Sequence, residues 1–368
     1  LCVDITLITK NYRMMKVFKA KMGSWAFILN MIGLLLPGIG KASDLTTQKS
    51  IFDLMSYKEV LQVELETDFE NLKENRRFTE YQAASLRFKD ASDQWRNWDL
   101  KVKIRGNYRR VHCGEMPPLK LNFKKSSLAA AGLSKHDDLK LVTHCIEDRQ
   151  QAQDLIMREY LAYKMYNELT DNSFRVQLLR ITYKDPASGR KLKQWGFVIE
   201  DTAQLKDRIG ATNCDACLNA DIQSFNTENA KLVAMYQYLV GNSDWDITNG
   251  RNIKLLRQNG KIITIPYDFD FTGVVNAPYA VANPNYQMKF VRDRIYLGFE
   301  KLLGQMHGTL FYLEGKQEQM TRVVRRFKHL SVASRVDIIN YLNIYFEHME
   351  DIQMAVRNPI TRVQAVSP

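Results

Sequence analysis

Two segments, GNSDWDITNGRN at residues 241–252 and IPYDFDFTG at residues 265–273, contain the densest group of candidate functional side chains in the chain, and these are Asp and Asn residues. Between them, two short apolar runs flank an Asn259-Gly260 turn, a pattern typical of a β-hairpin. Because this hairpin is too short to separate its ends, we expect Asn252 and Asp268 to lie at the same mouth. Carboxylate and amide oxygens that converge there would suit Mg²⁺ or Mn²⁺.

Phosphoryl transfer requires a set of groups of this kind. A metal ion offsets the phosphate charge, and a carboxylate orients or deprotonates the attacking hydroxyl. For any single residue, a turn or capping role in an Asp- and Asn-rich loop is the simpler interpretation. The joint placement of both segments around an apolar hairpin favours a metal site instead. An EF-hand calcium loop is excluded, since its spacing, its central Gly and its final Glu are missing from the sequence.

The composition is that of a globular protein. The chain has 368 residues, of which 45% are hydrophobic and 25% are charged. These values exclude a disordered, collagen-like or polytopic membrane protein. The net charge is +11, and residues 1–42 contribute +5 of it. The remaining basic residues are spread along the chain, so nucleic acid is not an expected partner.

Residues 1–42 have the pattern of an upstream extension followed by a secretory signal peptide. Residues 16–21 contain three lysines, residues 25–36 are largely apolar, and small residues precede Ser43. An uncleaved anchor and a buried helix are the alternatives, but the apolar run is short for a membrane span. We therefore expect cleavage before Ser43, export to the periplasm, cell surface or extracellular space, and no stable membrane span in the mature protein.

The cysteine pattern agrees with export. Apart from Cys2, the sequence contains four cysteines, and an even number in an oxidising compartment favours disulfides. Cys214 and Cys217 form a CxxC stretch that we interpret as a cross-linked loop, with Cys113 and Cys145 as the other possible pair. A four-thiolate zinc site is the alternative, but such sites usually contain two close pairs, and only one is present.

Hydrophobic periodicity divides the mature chain into two halves. Residues 43–200 are predicted to form a strand-rich lobe of largely antiparallel strands with one long helix at residues 151–169. Residues 201–368 are predicted to form a helix-rich lobe that carries the acidic hairpin, with Thr227 as the N-cap of a helix that ends near Gly241. The predicted strands of the first lobe are residues 60–67, 84–88, 98–104, 119–123, 139–142, 175–183 and 194–200. This layout is an α+β fold.

Several motifs share their pattern with one known family. Gly241 to Asp244 match a Gly-Asn-x-Asp stretch, Asn252 precedes a short strand, and residues 265–270 match an Ile-Pro-(Trp/Tyr)-Asp-x-Asp closing strand. Further upstream, the matching motifs are Arg105-Gly106, residues 118–123 and residues 157–163. This set resembles the spore-coat protein H (CotH) kinase-like family, in particular its secreted Bacteroidetes-type members. The resemblance implies an atypical protein-kinase-like fold with a strand-rich N-lobe and a helix-rich C-lobe.

The resemblance also implies roles for the residues of the acidic hairpin. Asp244 would be the catalytic carboxylate near the acceptor hydroxyl. Asp246 competes for this role, because neither residue has the spacing to Asn252 that a kinase catalytic loop shows. The implied ligands of Mg²⁺ or Mn²⁺ are Asn252 and Asp268, with Asp270 and Asn249 as further candidates.

Three residues before the hairpin would bind ATP by the same resemblance. Lys120 would contact the nucleotide phosphates, and Glu159 would pair with Lys120 and hold it in position. Glu200 would lie where a hinge meets the adenine. No Gly-rich phosphate loop of the GxGxxG type precedes them, and Arg105-Gly106-Asn107 is a poor substitute.

The resemblance implies an exported, ATP- and metal-dependent kinase whose favoured acceptors are Ser or Thr hydroxyls of secreted or envelope proteins. A non-catalytic pseudokinase, or an envelope or surface assembly protein with the same fold, is the main alternative. A metal-dependent phosphoester hydrolase is less favoured, because no His lies near the acidic hairpin in the sequence.

Overall fold

Seven strands close into a barrel in the computed structural model, which describes residues 48–77, 80–114, 116–286 and 288–348. Neighbouring strands are antiparallel, except at the closure, where the first strand runs parallel to the sixth. In chain order the strands are β1 (Val60–Glu66), β2 (Gln82–Lys89), β3 (Trp95–Ile104), β4 (Leu119–Phe123), β5 (Asp138–Thr143), β6 (Val176–Lys184) and β7 (Lys191–Ile199). Around the barrel they follow the order β1-β2-β3-β4-β5-β7-β6.

Helices form most of the C-terminal half, and the long helix at Arg149–Asn167 packs against β6 and β7 of the barrel. A second, three-stranded sheet has the order β10-β9-β8, from β8 (Thr212–Asn213), β9 (Ile253–Gln258) and β10 (Lys261–Pro266). The helices are α1 (Ile51–Met55), α2 (Phe69–Glu74), α3 (Tyr108–His112), α4 (Lys125–Ala130), α5 (Arg149–Asn167), α6 (Thr202–Ile209), α7 (Thr227–Leu239), α8 (His307–Arg326) and α9 (Val332–Glu347). Short 3-10 helices lie at Ile222–Ser224, Pro284–Tyr286 and Glu300–Gln305.

Two hydrophobic cores hold these elements together. One fills the barrel, where alternating strand residues such as Val102 and Leu121 point inward. The other lies outside the barrel and joins α5 to the C-terminal helices and to β9 and β10. All described residues belong to one compact unit. None of the described helices is both long and apolar enough to span a lipid bilayer.

The predicted mixture of strands and helices is confirmed, and every predicted strand of the barrel is present. The closure of the barrel is a difference from the prediction. It depends on the parallel pairing of β1 with β6, and a pairing between distant segments leaves no local periodicity. The short helices α1 to α4 and α6 were also not predicted. The predicted leader at residues 1–42 lies outside the described residues.

The long helix α5 packs into the outer core. Asp148 begins it, because its side chain accepts a hydrogen bond from the backbone N–H of Gln151. Its buried residues then belong to the same core as the C-terminal helices. For α7, Asn226 is the N-cap in place of the predicted Thr227, since the Asn226 side chain accepts from the backbone N–H of Asn229.

Backbone contacts join the two segments of the acidic hairpin. The backbone N–H of Gly273 donates to the carbonyl oxygen of Gly241 at 2.9 Å, and Asn242 forms a bridge with Thr272. Gly241 has a φ of +66°, and a Cβ at this position would lie 2.0 Å from the hydroxyl oxygen of Tyr341. Only glycine therefore fits at the point where Tyr341 of α9 packs against this junction.

Both predicted cysteine pairs are bonded, Cys113 to Cys145 and Cys214 to Cys217. Disulfides persist in oxidising compartments and are rare in reducing ones. Cys113 follows α3, and Cys145 lies shortly before α5. The first bond therefore ties α3 to the chain that enters α5.

We predict that the two disulfides differ in their contribution to stability. Removing the Cys113–Cys145 bond, by substituting both cysteines with Ala, should lower the free energy of unfolding by about 4 kcal/mol, because this bond closes the longer loop. The same change at Cys214 and Cys217, which are three residues apart, should cost about 2 kcal/mol. Urea unfolding of both variants measures the difference, and equal losses would contradict the prediction.

Candidate functional site

Three carboxylates converge beside the acidic hairpin. They belong to Glu159 of α5 and to Asp268 and Asp270, which follow β10, and one oxygen from each lies within 4.8 Å of the others. Glu159 and Asp270 are buried, and Asp268 is half-buried. Like charges brought together away from water disfavour the ionised state. The cluster therefore needs positive charge nearby.

The spacing along α5 explains how a helix residue reaches this cluster. Residues four apart on a helix share a face, so Glu159 and Tyr163 both face the segment after β10. The hydroxyl oxygen of Tyr163 accepts a hydrogen bond from the backbone N–H of Asp268 at 2.8 Å. Asp268 has a φ of +65°, a left-handed conformation that Asp tolerates better than most residues. This contact fixes the backbone of Asp268 against α5.

Arg109 of α3 already contacts two of the three carboxylates. Its guanidinium donates to Glu159 at 2.5 Å and to Asp270 at 2.8 Å. The guanidinium is itself buried. Burial opposes its charge, but Asp270 and Glu159 outweigh this effect and raise the pKa of Arg109 above its ordinary value. Arg109 is therefore a permanent cation inside the cluster.

One guanidinium does not balance three carboxylates. Burial raises the pKa of Glu159 and the pKa of Asp270 above their ordinary values, and Arg109 offsets only part of the effect. Among the described residues, Glu159 Oε1 is buried without a hydrogen-bond partner, and the Asp268 carboxylate accepts no hydrogen bond. Carboxylate oxygens left in this way are suitable ligands for a divalent cation such as Mg²⁺ or Mn²⁺.

A second pair of hairpin residues lies beside the cluster. The side-chain amide of Asn252 donates to the carboxylate of Asp244 at 3.0 Å and to its backbone carbonyl at 2.6 Å. The amide oxygen of Asn252 remains available as an acceptor or ligand. Asn252 also accepts, through its backbone carbonyl, from the N–H of Tyr267 at 3.1 Å. The structure thus brings Asn252 and Asp268 to the same end of the hairpin, as expected.

Asp244 is a partly exposed carboxylate with a shifted pKa. Burial raises the pKa of its carboxyl above the ordinary value, as does Asp268, while Arg251 acts in the opposite direction. Its side chain is still 40% exposed, so an acceptor hydroxyl can reach it. A carboxylate whose pKa is shifted toward neutrality is better suited to remove a proton than an ordinary surface Asp.

Asp246 and Asn249 form a turn with each other. The Asp246 carboxylate accepts from the backbone and hydroxyl of Thr248 and from the side chain of Asn249. These hydrogen bonds lower the pKa of Asp246, although burial opposes them. The amide oxygen of Asn249 accepts from the backbone N–H of Arg251. The contacts account for both residues as turn formers, and Asp246 is not among the three converging carboxylates.

The predicted pair of Lys120 and Glu159 is wrong. The ammonium of Lys120 binds Asp138 at 2.7 Å, while Glu159 binds Arg109. The hydrogen bond with Asp138 raises the pKa of Lys120, although burial opposes the shift. Lys120 pairs with Asp138 because the two residues are close in the sheet. Asp138 lies on the adjacent strand β5, two residues from Lys140, which is directly opposite Lys120.

Lys140 is the lysine that interacts with Asp268. It lies directly opposite Lys120 in the sheet, and its ammonium is 4.9 Å from the centre of the Tyr267 ring. Burial lowers the pKa of Lys140 to about 8, helped by the positive charge of Arg105 and opposed by Asp268. Lys140 and Arg105 therefore supply positive charge on the barrel side of the acidic residues.

Glu200 is buried between two arginines that bind its carboxylate. It is fully buried, and its carboxylate accepts from the backbone and side chain of Arg175 and from Arg208. These contacts fix the chain between β7 and α6, and they account for the buried charge without a nucleotide. Its predicted position near an adenine stays a prediction.

Arg109 and Lys140 are two residues of the site that were not predicted from the sequence. Arg109 is part of the stretch that follows Arg105-Gly106, but a buried Arg in a short polar helix has the same local pattern as a surface Arg. His112 also comes near the hairpin only in three dimensions. Its ring stacks on that of Tyr108 with the ring centres 4.1 Å apart, and Tyr108 contacts Phe271. The structure thus brings a His close to the segment after Asp270, although none is near it in the sequence.

Comparisons with known proteins leave the family open. No protein-family model matches the sequence, and no curated protein matches it. A solved structure, that of the Helicobacter pylori proinflammatory kinase CtkA, covers 66% of this chain and 95% of its own, with 11% identity and a TM-score of 0.37. A likeness this distant adds no weight to a fold or a function.

We predict that, without a metal ion, the stability of the acidic cluster depends on the positive charge of Arg109. Arg109→Met leaves buried carboxylates without a partner, and loss of one member of a buried ion pair costs about 3–5 kcal/mol. Mn²⁺ should restore part of this loss, because the ion would replace the missing charge. Urea unfolding with and without Mn²⁺ measures both effects.

The matched control is Arg325→Met, which removes the Arg of a pair with Glu318 in which the two side chains are 55% and 57% exposed. This change should cost about 1 kcal/mol or less and should show no response to Mn²⁺. Equal losses for the two variants, or equal responses to Mn²⁺, would contradict the prediction.

Proposed function

We propose that this chain transfers the terminal phosphoryl group of ATP to a hydroxyl and requires Mg²⁺ or Mn²⁺. The observation that carries the proposal is the convergence of Glu159, Asp268 and Asp270 next to the bonded pair of Asp244 and Asn252. Phosphoryl transfer uses oxygen ligands of this kind to hold a metal ion at the phosphates, beside a carboxylate that orients or deprotonates the attacking hydroxyl. We extend the proposal to an atypical kinase-like fold and to Ser or Thr hydroxyls of secreted or envelope proteins as acceptors.

Some of the acidic residues would bind the metal ion, and one would accept the proton. Asp268 would bind the ion, together with Asp270, Glu159 or the amide oxygen of Asn252. The bound ion would offset the charge of the phosphates. Asp244 would accept the proton of the attacking hydroxyl, since the Asn252 amide holds its carboxylate in place.

Lys140 and Arg105 would contact the nucleotide phosphates in place of the predicted Lys120. Lys140 and Arg105 are close enough to interact electrostatically with each other, and Lys140 also interacts with Asp268. A Lys with a pKa of about 8 is still mostly protonated at neutral pH, so it can pair with phosphate oxygens. Lys120 keeps its charge engaged with Asp138.

A nucleotide-binding protein without turnover is the second candidate, and one observation favours it. Arg109 holds Glu159 and Asp270, so two of the three carboxylates already have a cation. A protein of this kind would bind a nucleotide or a partner and would act in envelope or surface assembly. Export is part of both proposals, and the two disulfides support it.

A kinase assay with two variants separates these proposals. Purified protein is incubated with labelled ATP and Mn²⁺, and transfer to the protein itself and to a generic Ser/Thr substrate is measured alongside nucleotide affinity. Asp268→Asn should abolish metal-dependent nucleotide binding. Asp244→Asn should leave binding intact and lower transfer by about 10²–10⁴-fold, the contribution typical of a general base.

Asp99→Asn is the charge-matched control, because Asp99 lies exposed on β3, and it should change neither quantity. Nucleotide binding without transfer in the unsubstituted protein would support the non-catalytic candidate. Release of free phosphate in place of transfer would indicate a hydrolase. No metal-dependent nucleotide binding at all would overturn the proposal.

A further inference from the structure

A cleft of about 420 Å³ lies on another face of α5, between α1, the start of β6 and the end of α8. It is separate from the acidic cluster, and none of its lining residues belongs to that site. Three aromatic side chains, Phe52, Tyr160 and Phe327, form its inner wall, and all three are buried. Its volume falls in the range of small-molecule sites.

The rim of the cleft is positively charged. Lys58, Lys164 and Arg326 line it, and none of them has an acidic partner among the described residues. Arg175 also lines it, but its charge is engaged by Asp53 and Glu200. Its guanidinium lies 5.0 Å from the centre of the Phe52 ring and covers that ring. Glu59 is the one carboxylate in the lining. The lining of the cleft therefore contains three cations without an acidic partner, one carboxylate and three aromatic rings.

We propose that this cleft binds a small aromatic anion, with the ring against Tyr160 and Phe327 and a carboxylate, sulfonate or phosphate at Lys58, Lys164 and Arg326. Apolar walls with a few convergent charged groups are the usual construction of a ligand site. Aromatic faces also favour an aromatic ligand over an aliphatic one through ring–ring contacts. The unpaired cations supply the selection for negative charge.

The position of the cleft links it to the acidic cluster through α5. Tyr160 lines the cleft, and the preceding residue, Glu159, is one of the three converging carboxylates. The binding proposal does not depend on the proposed phosphotransfer, since it requires neither nucleotide nor metal. A failure of either proposal is therefore recognisable without the other.

Fluorescence titration with 8-anilinonaphthalene-1-sulfonate, an aromatic anion, tests the proposal on the purified protein without nucleotide or metal. The probe should bind at one site per chain. N-phenyl-1-naphthylamine, the analogue without the sulfonate, should bind at least tenfold more weakly. Lys164→Glu should also weaken binding of the anionic probe at least tenfold, whereas Lys191→Glu, at the exposed start of β7, should leave it unchanged.

A second readout uses the unsubstituted protein, so that it does not depend on the folding of a variant. The anionic probe should slow acetylation of the Lys164 amine, measured by mass spectrometry, and should not slow acetylation of Lys191. Equal binding of the charged and uncharged probes, or no protection of Lys164, would overturn the proposal.

Discussion

Arg109 supplies one positive charge to a buried site that contains three carboxylates. Among the described side chains, none donates a hydrogen bond to Oε1 of Glu159 or to the Asp268 carboxylate, although Lys140 interacts electrostatically with Asp268. Burying unbalanced charge is costly, so a site of this kind either holds protons or binds a cation. Burial raises the pKa of Glu159 and of Asp270, which favours the first state. A divalent ion would produce the second.

The fold brings these groups together from three distant parts of the chain. Glu159 comes from the long helix α5, Asp268 follows the hairpin of β9 and β10, and Arg109 comes from the short helix α3. The Cys113–Cys145 bond ties α3 to the chain that enters α5. The Tyr163 hydroxyl then holds the backbone of Asp268 to the same helix. The geometry of the cluster is therefore set by covalent and buried contacts rather than by surface loops.

The sequence predicted those features of the site that depend on local pattern. The Asn259-Gly260 turn and its apolar flanks predict the hairpin, and the hairpin places Asn252 and Asp268 at one end. Barrel closure by β1 and β6 involves distant segments, so no local pattern predicts it. Lys120 and Lys140 occupy equivalent outward positions on adjacent strands. Only the three-dimensional packing distinguishes Lys140, whose ammonium lies over the Tyr267 ring, from Lys120, which Asp138 binds.

The central claim is that the acidic cluster binds a divalent cation, and anomalous X-ray diffraction tests it most directly. Crystals of the protein grown with Mn²⁺ and ADP would be measured near the manganese absorption edge. Our account predicts one anomalous peak in contact with an oxygen of Asp268 and with an oxygen of Glu159 or Asp270. Crystals without a peak there, in which Arg109 still binds both Glu159 and Asp270, would contradict it.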